Sequence, residues 1–161
     1  MKIKRRLLNK ESLAEIEYKG EIIMISIIIG NKGSGKTKKL IENINTRVSE
    51  SHGNVVCIEK GMKLTYELTY RVRLMDSDRF SINGYDQLLG FISGICASDH
   101  DVTDIFVDGT LKIGGDDKAE LIAFLEKLSK LAELSTANIM LTISCDEADL
   151  PEAIHQFEIV R

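Results

Sequence analysis

EIIMISIIIGNKGSGKT, residues 21–37, joins an isoleucine-rich apolar run to a glycine-rich turn that ends in a lysine and a threonine. The run EIIMISIII (21–29) is short and stops at Gly30, which predicts a strand buried on both faces in a parallel sheet. A helix is expected to follow from about Lys36 to Glu50. Glycines at 30, 33 and 35 let the backbone curl tightly enough to aim successive N–H groups at one anion.

Gly30, Asn31, Lys32, Gly33, Ser34, Gly35, Lys36 and Thr37 fit the pattern G-x-x-x-x-G-K-[ST] at every defined position, between a strand and a helix as the chemistry requires. The helix adds its unpaired first-turn N–H groups and the positive end of its dipole. Lys36 brings a full charge to the β- and γ-phosphates, and the Thr37 hydroxyl is the expected magnesium ligand. The competing reading is a glycine-rich turn that ends in Lys-Thr by chance, and the strand-to-helix setting argues against it. ATP with Mg²⁺ is therefore the expected ligand pair.

Working outward, NVVCIE (54–59) reads as a second strand, and residues 61–75 as a charged helical segment before a short third strand, RFSI (79–82). DIFVD (104–108) and NIMLTIS (138–144) are the next strands, and FEIV (157–160) is expected to close the sheet. Residues 85–96 carry Leu88, Ile92, Ile95 and Cys96 on one helix face. Residues 117–134 do the same with Leu121, Leu125, Leu128 and Leu131, and Asp117 and Glu120 have capping-box spacing. Alternation of strands and helices predicts an α/β three-layer sandwich with a mainly parallel sheet.

A phosphate loop also needs an acid on a neighbouring strand to fix the magnesium shell. Asp108 ends an apolar strand, at the edge where ligands sit in open α/β sheets, and is the expected second metal residue beside Thr37. A turn-forming Asp-Gly-Thr is the other explanation of Asp108. Asp104 opens the same strand at the opposite edge and competes poorly. In many ATPases a glutamate directly follows the strand-end aspartate, but Gly109 stands there. Glu59 ends the second strand and becomes the candidate general base, provided that strand neighbours the phosphate-loop strand or the Asp108 strand. Otherwise it is an ordinary carboxylate pairing with Lys60 or Lys63. Lys36 and Glu59 are thus the expected catalytic pair.

The 161 residues suit a single domain, 21–161, and 43% hydrophobic with 29% charged residues is globular composition. A net charge of −4 gives no support to nucleic acid as the main partner. Residues 1–20 open with Lys2, Lys4, Arg5, Arg6 and Lys10 and read as a basic appendage peripheral to nucleotide binding, since MISIIIGNKGSGKT from Met24 contains the whole loop unit. That arm lacks the apolar core of a secretory signal, and no stretch nears the roughly 20 apolar residues of a membrane helix, so a cytoplasmic protein without a membrane span is expected. Cys57, Cys96 and Cys145 are far apart and expected to be reduced, buried packing residues. His52, His100 and His155 show no metal-ligand spacing.

The order GNKGSGKT, VVCIEKGM, RFSI, DIFVDG, NIMLTISCD resembles the RecA-like branch of phosphate-loop ATPases, especially the cores of replicative helicases and KaiC-type proteins, over roughly residues 22–145. The resemblance implies phosphate and magnesium roles for Lys36 and Thr37, a magnesium-shell role for Asp108, a general-base role for Glu59, and a polar γ-phosphate sensor at Ser144 or Thr142. It also implies an oligomer or protein partner and an arginine finger, for which Arg71, Arg73 and Arg79 are candidates. The function expected is a Mg-dependent ATPase acting on or with a partner. The alternatives are a nucleoside- or nucleotide-type kinase, which the missing arginine-rich lid disfavours, and a poorly hydrolysing nucleotide switch, which Gly109 favours. No N-K-x-D segment follows Asp108 to support a GTPase.

Overall fold

Ile25, Ile27 and Ile28 alternate between two apolar layers, and this alternation is what makes β1 (Ile25–Gly30) an interior strand of the computed structural model, which describes residues 25–161. The expected appendage 1–20 and the first residues of the expected strand 21–29 lie outside the described residues. The other strands are β2 (Asn54–Glu59), β3 (Val72–Asp76), β4 (Val102–Val107), β5 (Asn138–Ser144) and β6 (Glu158–Val160). They form one sheet in the order β3-β2-β4-β5-β1-β6, with every neighbouring pair parallel. All strand C-termini therefore face one edge, and the glycine-rich loop after β1 leaves the sheet there.

The helices are α1 (Lys36–Glu50), α2 (Tyr85–Ser98), α3 (Thr110–Gly114) and α4 (Lys118–Ser135). On one face α1 buries Leu40, Ile44 and Val48, at spacings of four, against Ile28, Val55, Cys57 and Phe106. On the other face α2 and α4 bury Leu88, Ile92, Leu121, Leu125 and Leu128 against Ile27, Ile58, Ile105 and Leu141. Each fully buried leucine or isoleucine stabilises the fold by about 1.5–3 kcal/mol. Two helical layers around a parallel sheet make the expected α/β three-layer sandwich. Asp117 starts α4 as its N-cap, accepting from the Ala119 and Glu120 N–H groups at 2.9 and 3.0 Å.

Residues 61–82 depart from the expectation. The segment 61–75 is not helical: Gly61 and Met62 hold φ of 94° and 47°, and only the 3-10 turn Lys63–Tyr66 follows. The third strand is Val72–Asp76, not 79–82, which forms a turn with Ser81 at φ 56° and its N–H bonded to the Asp78 carbonyl. An edge strand pairs on one side only, so β3 keeps Arg73 exposed between buried Val72 and half-buried Leu74, and its charges mask the period of two.

Arg47 of α1 donates to Asp104 at the opposite sheet edge through Nε at 2.6 Å and Nη2 at 3.4 Å. Asp104 is only 2% exposed, so its carboxylate oxygens rely on this partner for hydrogen bonds. Arg47→Ala is expected to lower stability by about 2 kcal/mol, less than the ~3–5 kcal/mol of a fully buried pair because Arg47 itself reaches solvent. Urea unfolding measures this, and ATP affinity should not change, since about 13 Å of strand separates Asp104 from Asp108.

Candidate functional site

Gly33 and Gly35 sit at φ of 84° and 88°, in the left-handed region where a side chain would strain the turn. The Ser34 N–H donates to the Asn31 carbonyl at 3.1 Å and closes the loop on itself. Gly30 is packed so closely beneath Ser34 that a Cβ there would collide with the serine hydroxyl. Gly35 is the N-cap of α1, and neither a capping side chain nor a first-turn acid occupies the helix start. The first-turn amides are thus left for a ligand, in contrast to α4, where Asp117 takes them. An anion cradle fits this arrangement.

Lys36 is 8% exposed, and its ammonium folds back to donate to the Asn31 carbonyl at 2.8 Å. Desolvation lowers its pKa, opposed by the nearby Asp108 carboxylate. A cation on the wall of this site with a single neutral carbonyl partner is poised for a stronger anionic one. The Thr37 hydroxyl lies 3.2 and 3.3 Å from the Asp108 carboxylate oxygens. Thr142 of β5 joins them, donating to Asp108 Oδ1 at 2.8 Å and accepting from the Gly109 N–H at 2.7 Å. One hydroxyl and one carboxylate on facing elements are the donor set a magnesium ion takes, so Thr37 and Asp108 are suited to hold it beside a bound phosphate chain. Magnesium, when bound, would neutralise charge on the phosphates.

A cavity of about 440 Å³ opens above these residues, lined by Lys32, Lys36, Thr37, Asp108, Lys112 and Ser144 among others. Of the two expected sensor positions, Ser144 lines the cavity and Thr142 both lines it and fixes Asp108. A second cavity, of about 490 Å³, lies between α2 and α4 around Tyr85, Asp86 and Phe124, away from the loop. It brings no comparable set of phosphate-binding groups together, so size does not identify the site.

Glu59 satisfies the neighbour condition, because β2 pairs directly with β4 and the Asp108 N–H donates to the Ile58 carbonyl at 2.9 Å. The alternation that puts Cys57 and Phe106 on the α1 side puts Glu59 and Asp108 there too. Glu59 is 3% exposed, and its Oε1 accepts from the Leu64 N–H at 2.7 Å instead of lining the cavity. Burial raises its pKa, the Leu64 N–H offsets part of this, and Asp108 and Asp76 push it further up. Arg71 and Arg73 lie beside and on β3, four strand positions from β1 or about 19 Å, so they do not reach this loop within one chain. Arg79 sits in the exposed turn after β3.

Lys112 is the residue that sequence reading missed. It follows Asp108 by four positions, on a five-residue helix hidden within what reads as an Asp-Gly-Thr turn. Cys57 is buried as expected, whereas Cys96 and Cys145 are only half-buried, and Cys145 lies near Lys36. No helix among the described residues is long and apolar enough to cross a membrane.

No family model matches the chain, and no curated protein matches it. Among solved structures, that of C. elegans PCH-2 is similar, with a TM-score of 0.53 and 16% identity over 90% of this chain and 36% of that one. This chain thus spans about a third of the length of that neighbour. At this identity the likeness concerns the fold alone, an α/β core built on a parallel six-stranded sheet.

Proposed function

We propose that this protein binds MgATP in the Gly30–Thr37 loop and hydrolyses it as a RecA-like ATPase that acts on or with a partner. The observation that carries the proposal is the meeting of Lys36, Thr37, Asp108 and Thr142 at the C-terminal edge of β1, β4 and β5. In this reading the loop amides and Lys36 hold the β- and γ-phosphates, and Thr37 with Asp108 holds the metal. Glu59, from the strand beside Asp108, takes the proton of the attacking water. Its carboxylate must first leave the Leu64 N–H, so hydrolysis is coupled to movement of segment 60–66. A poorly hydrolysing switch is the second reading, favoured by the engagement of Glu59 with Leu64 and by the absence of an acid at Gly109.

Single-turnover hydrolysis of MgATP across a pH series tests the proposal. A general base works only when deprotonated, and burial raises the Glu59 pKa above its ordinary 4.5. The rate is therefore expected to rise with pH along an acid limb displaced upward from the ordinary carboxylate range, and Glu59→Gln should abolish that limb. Binding without turnover at any pH would sink the ATPase reading and leave the switch.

A further inference from the structure

From the path of the chain after Asp108 we infer that Lys112 is a second phosphate-contacting cation, supplied in cis, which meets the terminal phosphate of the bound nucleotide opposite Lys36. The inference rests on the proposed nucleotide site and extends it. Gly109 turns the chain at φ 69°, and the Lys112 N–H closes the turn on the Gly109 carbonyl at 2.9 Å. The stem of Lys112 then lies directly over the glycine: a Cβ on Gly109 would sit 3.2 Å from Lys112 Cδ and 3.7 Å from its Cβ and Cγ. The position where many ATPases carry a glutamate is thus left without a side chain, and a lysine stem crosses it. Lys112 lines the same cavity as Lys36, Thr37 and Asp108.

The segment carrying Lys112 is anchored on several sides. Ile113 is 1% exposed, and its carbonyl accepts from the Gly84 N–H at 2.8 Å. The Tyr85 hydroxyl donates to the Gly115 carbonyl at 2.7 Å, and the Lys60 ammonium donates to the Lys112 carbonyl at 3.3 Å. Among the described residues no carboxylate lies within ion-pair distance of the Lys112 ammonium. Lys32, Lys36 and Lys112 against Asp108 give the cavity lining two net positive charges, which complements the two net negative charges of a magnesium-triphosphate. Phosphoryl transfer spreads charge over the equatorial oxygens, where a cation supplied in cis or in trans raises the rate. Arg71 and Arg73 are too distant to supply it within one chain.

The test compares wild type, Lys112→Met and Lys112→Arg on the full chain, with ADP and ATP affinities measured beside single-turnover hydrolysis. Lys112→Met is expected to weaken ATP about 10-fold while changing ADP less than about 3-fold, and to slow hydrolysis about 100-fold. Lys112→Arg should restore most of both. Lys112 is exposed, and a melting curve on each variant confirms that the fold is intact. If Lys112→Met binds ATP and ADP as wild type does and turns over at the wild-type rate, the inference is wrong while the loop reading stands. Equal losses for ADP and ATP also overturn it, since the contact would then lie away from the terminal phosphate. If wild type binds no nucleotide, the underlying site reading fails instead. If wild type binds but does not hydrolyse, the ATP-against-ADP ratio alone decides.

Discussion

Lys36→Ala is expected to weaken MgATP binding at least about 100-fold, or roughly 2.7 kcal/mol, and to reduce turnover to the uncatalysed background. The size follows from the setting of the ammonium. It is nearly buried, and its one bonded partner is the neutral Asn31 carbonyl. Phosphate oxygens would give it charge-assisted bonds to an ionised partner, stronger than the bond it now makes to a neutral carbonyl. The same substitution should not destabilise the nucleotide-free protein through loss of charge. Desolvation lowers the Lys36 pKa, so the charge itself does not stabilise the fold at any pH below that value. Calorimetric titration and a melting curve read the two effects separately. A variant that binds like wild type would show that the loop is a turn and not a nucleotide site. An affinity loss accompanied by an equally large drop in melting temperature would place the lysine in the folding core instead.

Glu59→Gln is expected to slow single-turnover hydrolysis by about 100- to 1,000-fold while leaving MgATP affinity within about 3-fold of wild type. Glutamine keeps a carbonyl oxygen for the Leu64 N–H but cannot take a proton from water. The folded-state pKa of Glu59 is raised, so the native protein binds more protons than the unfolded chain between pH 4.5 and that raised value. The glutamate's contribution to stability therefore falls as pH rises through this window, and at neutral pH the glutamine variant should be at least as stable as wild type. Wild-type turnover in Glu59→Gln would remove Glu59 from the chemistry and leave it as a buried acceptor that holds Leu64.

The parts of the fold legible in the sequence are those where one local signal dominates. The helix α1 and the strand β5 have the ends that the sequence suggests, because a glycine-rich turn precedes the one and an apolar run marks the other. Asp108 was legible because an apolar strand that stops at an acid must put the acid at its edge. Residues 61–82 were not legible, since an edge strand with Arg73 among its apolar residues lacks a clear alternation. The left-handed Met62 and Ser81 also carry no glycine to mark their turns. Two features of the site depend on contacts distant in sequence or hidden in a short element. The acceptance of the Leu64 N–H by Glu59 needs the turn after β2, and the position of Lys112 needs a five-residue helix pinned by Tyr85, Gly84 and Lys60. No periodicity in five residues announces such a helix.

Titration of ATP into the wild-type chain by calorimetry, with Mg²⁺ present and then with the metal chelated, tests the central claim most directly. The account predicts one ATP bound per chain, with affinity at least about 10-fold weaker once the metal is removed, because Thr37 and Asp108 then face the phosphates without the cation between them. Absence of measurable heat or competition by ATP, ADP and GTP at millimolar concentration would contradict it, and the loop would then be only the turn that joins β1 to α1.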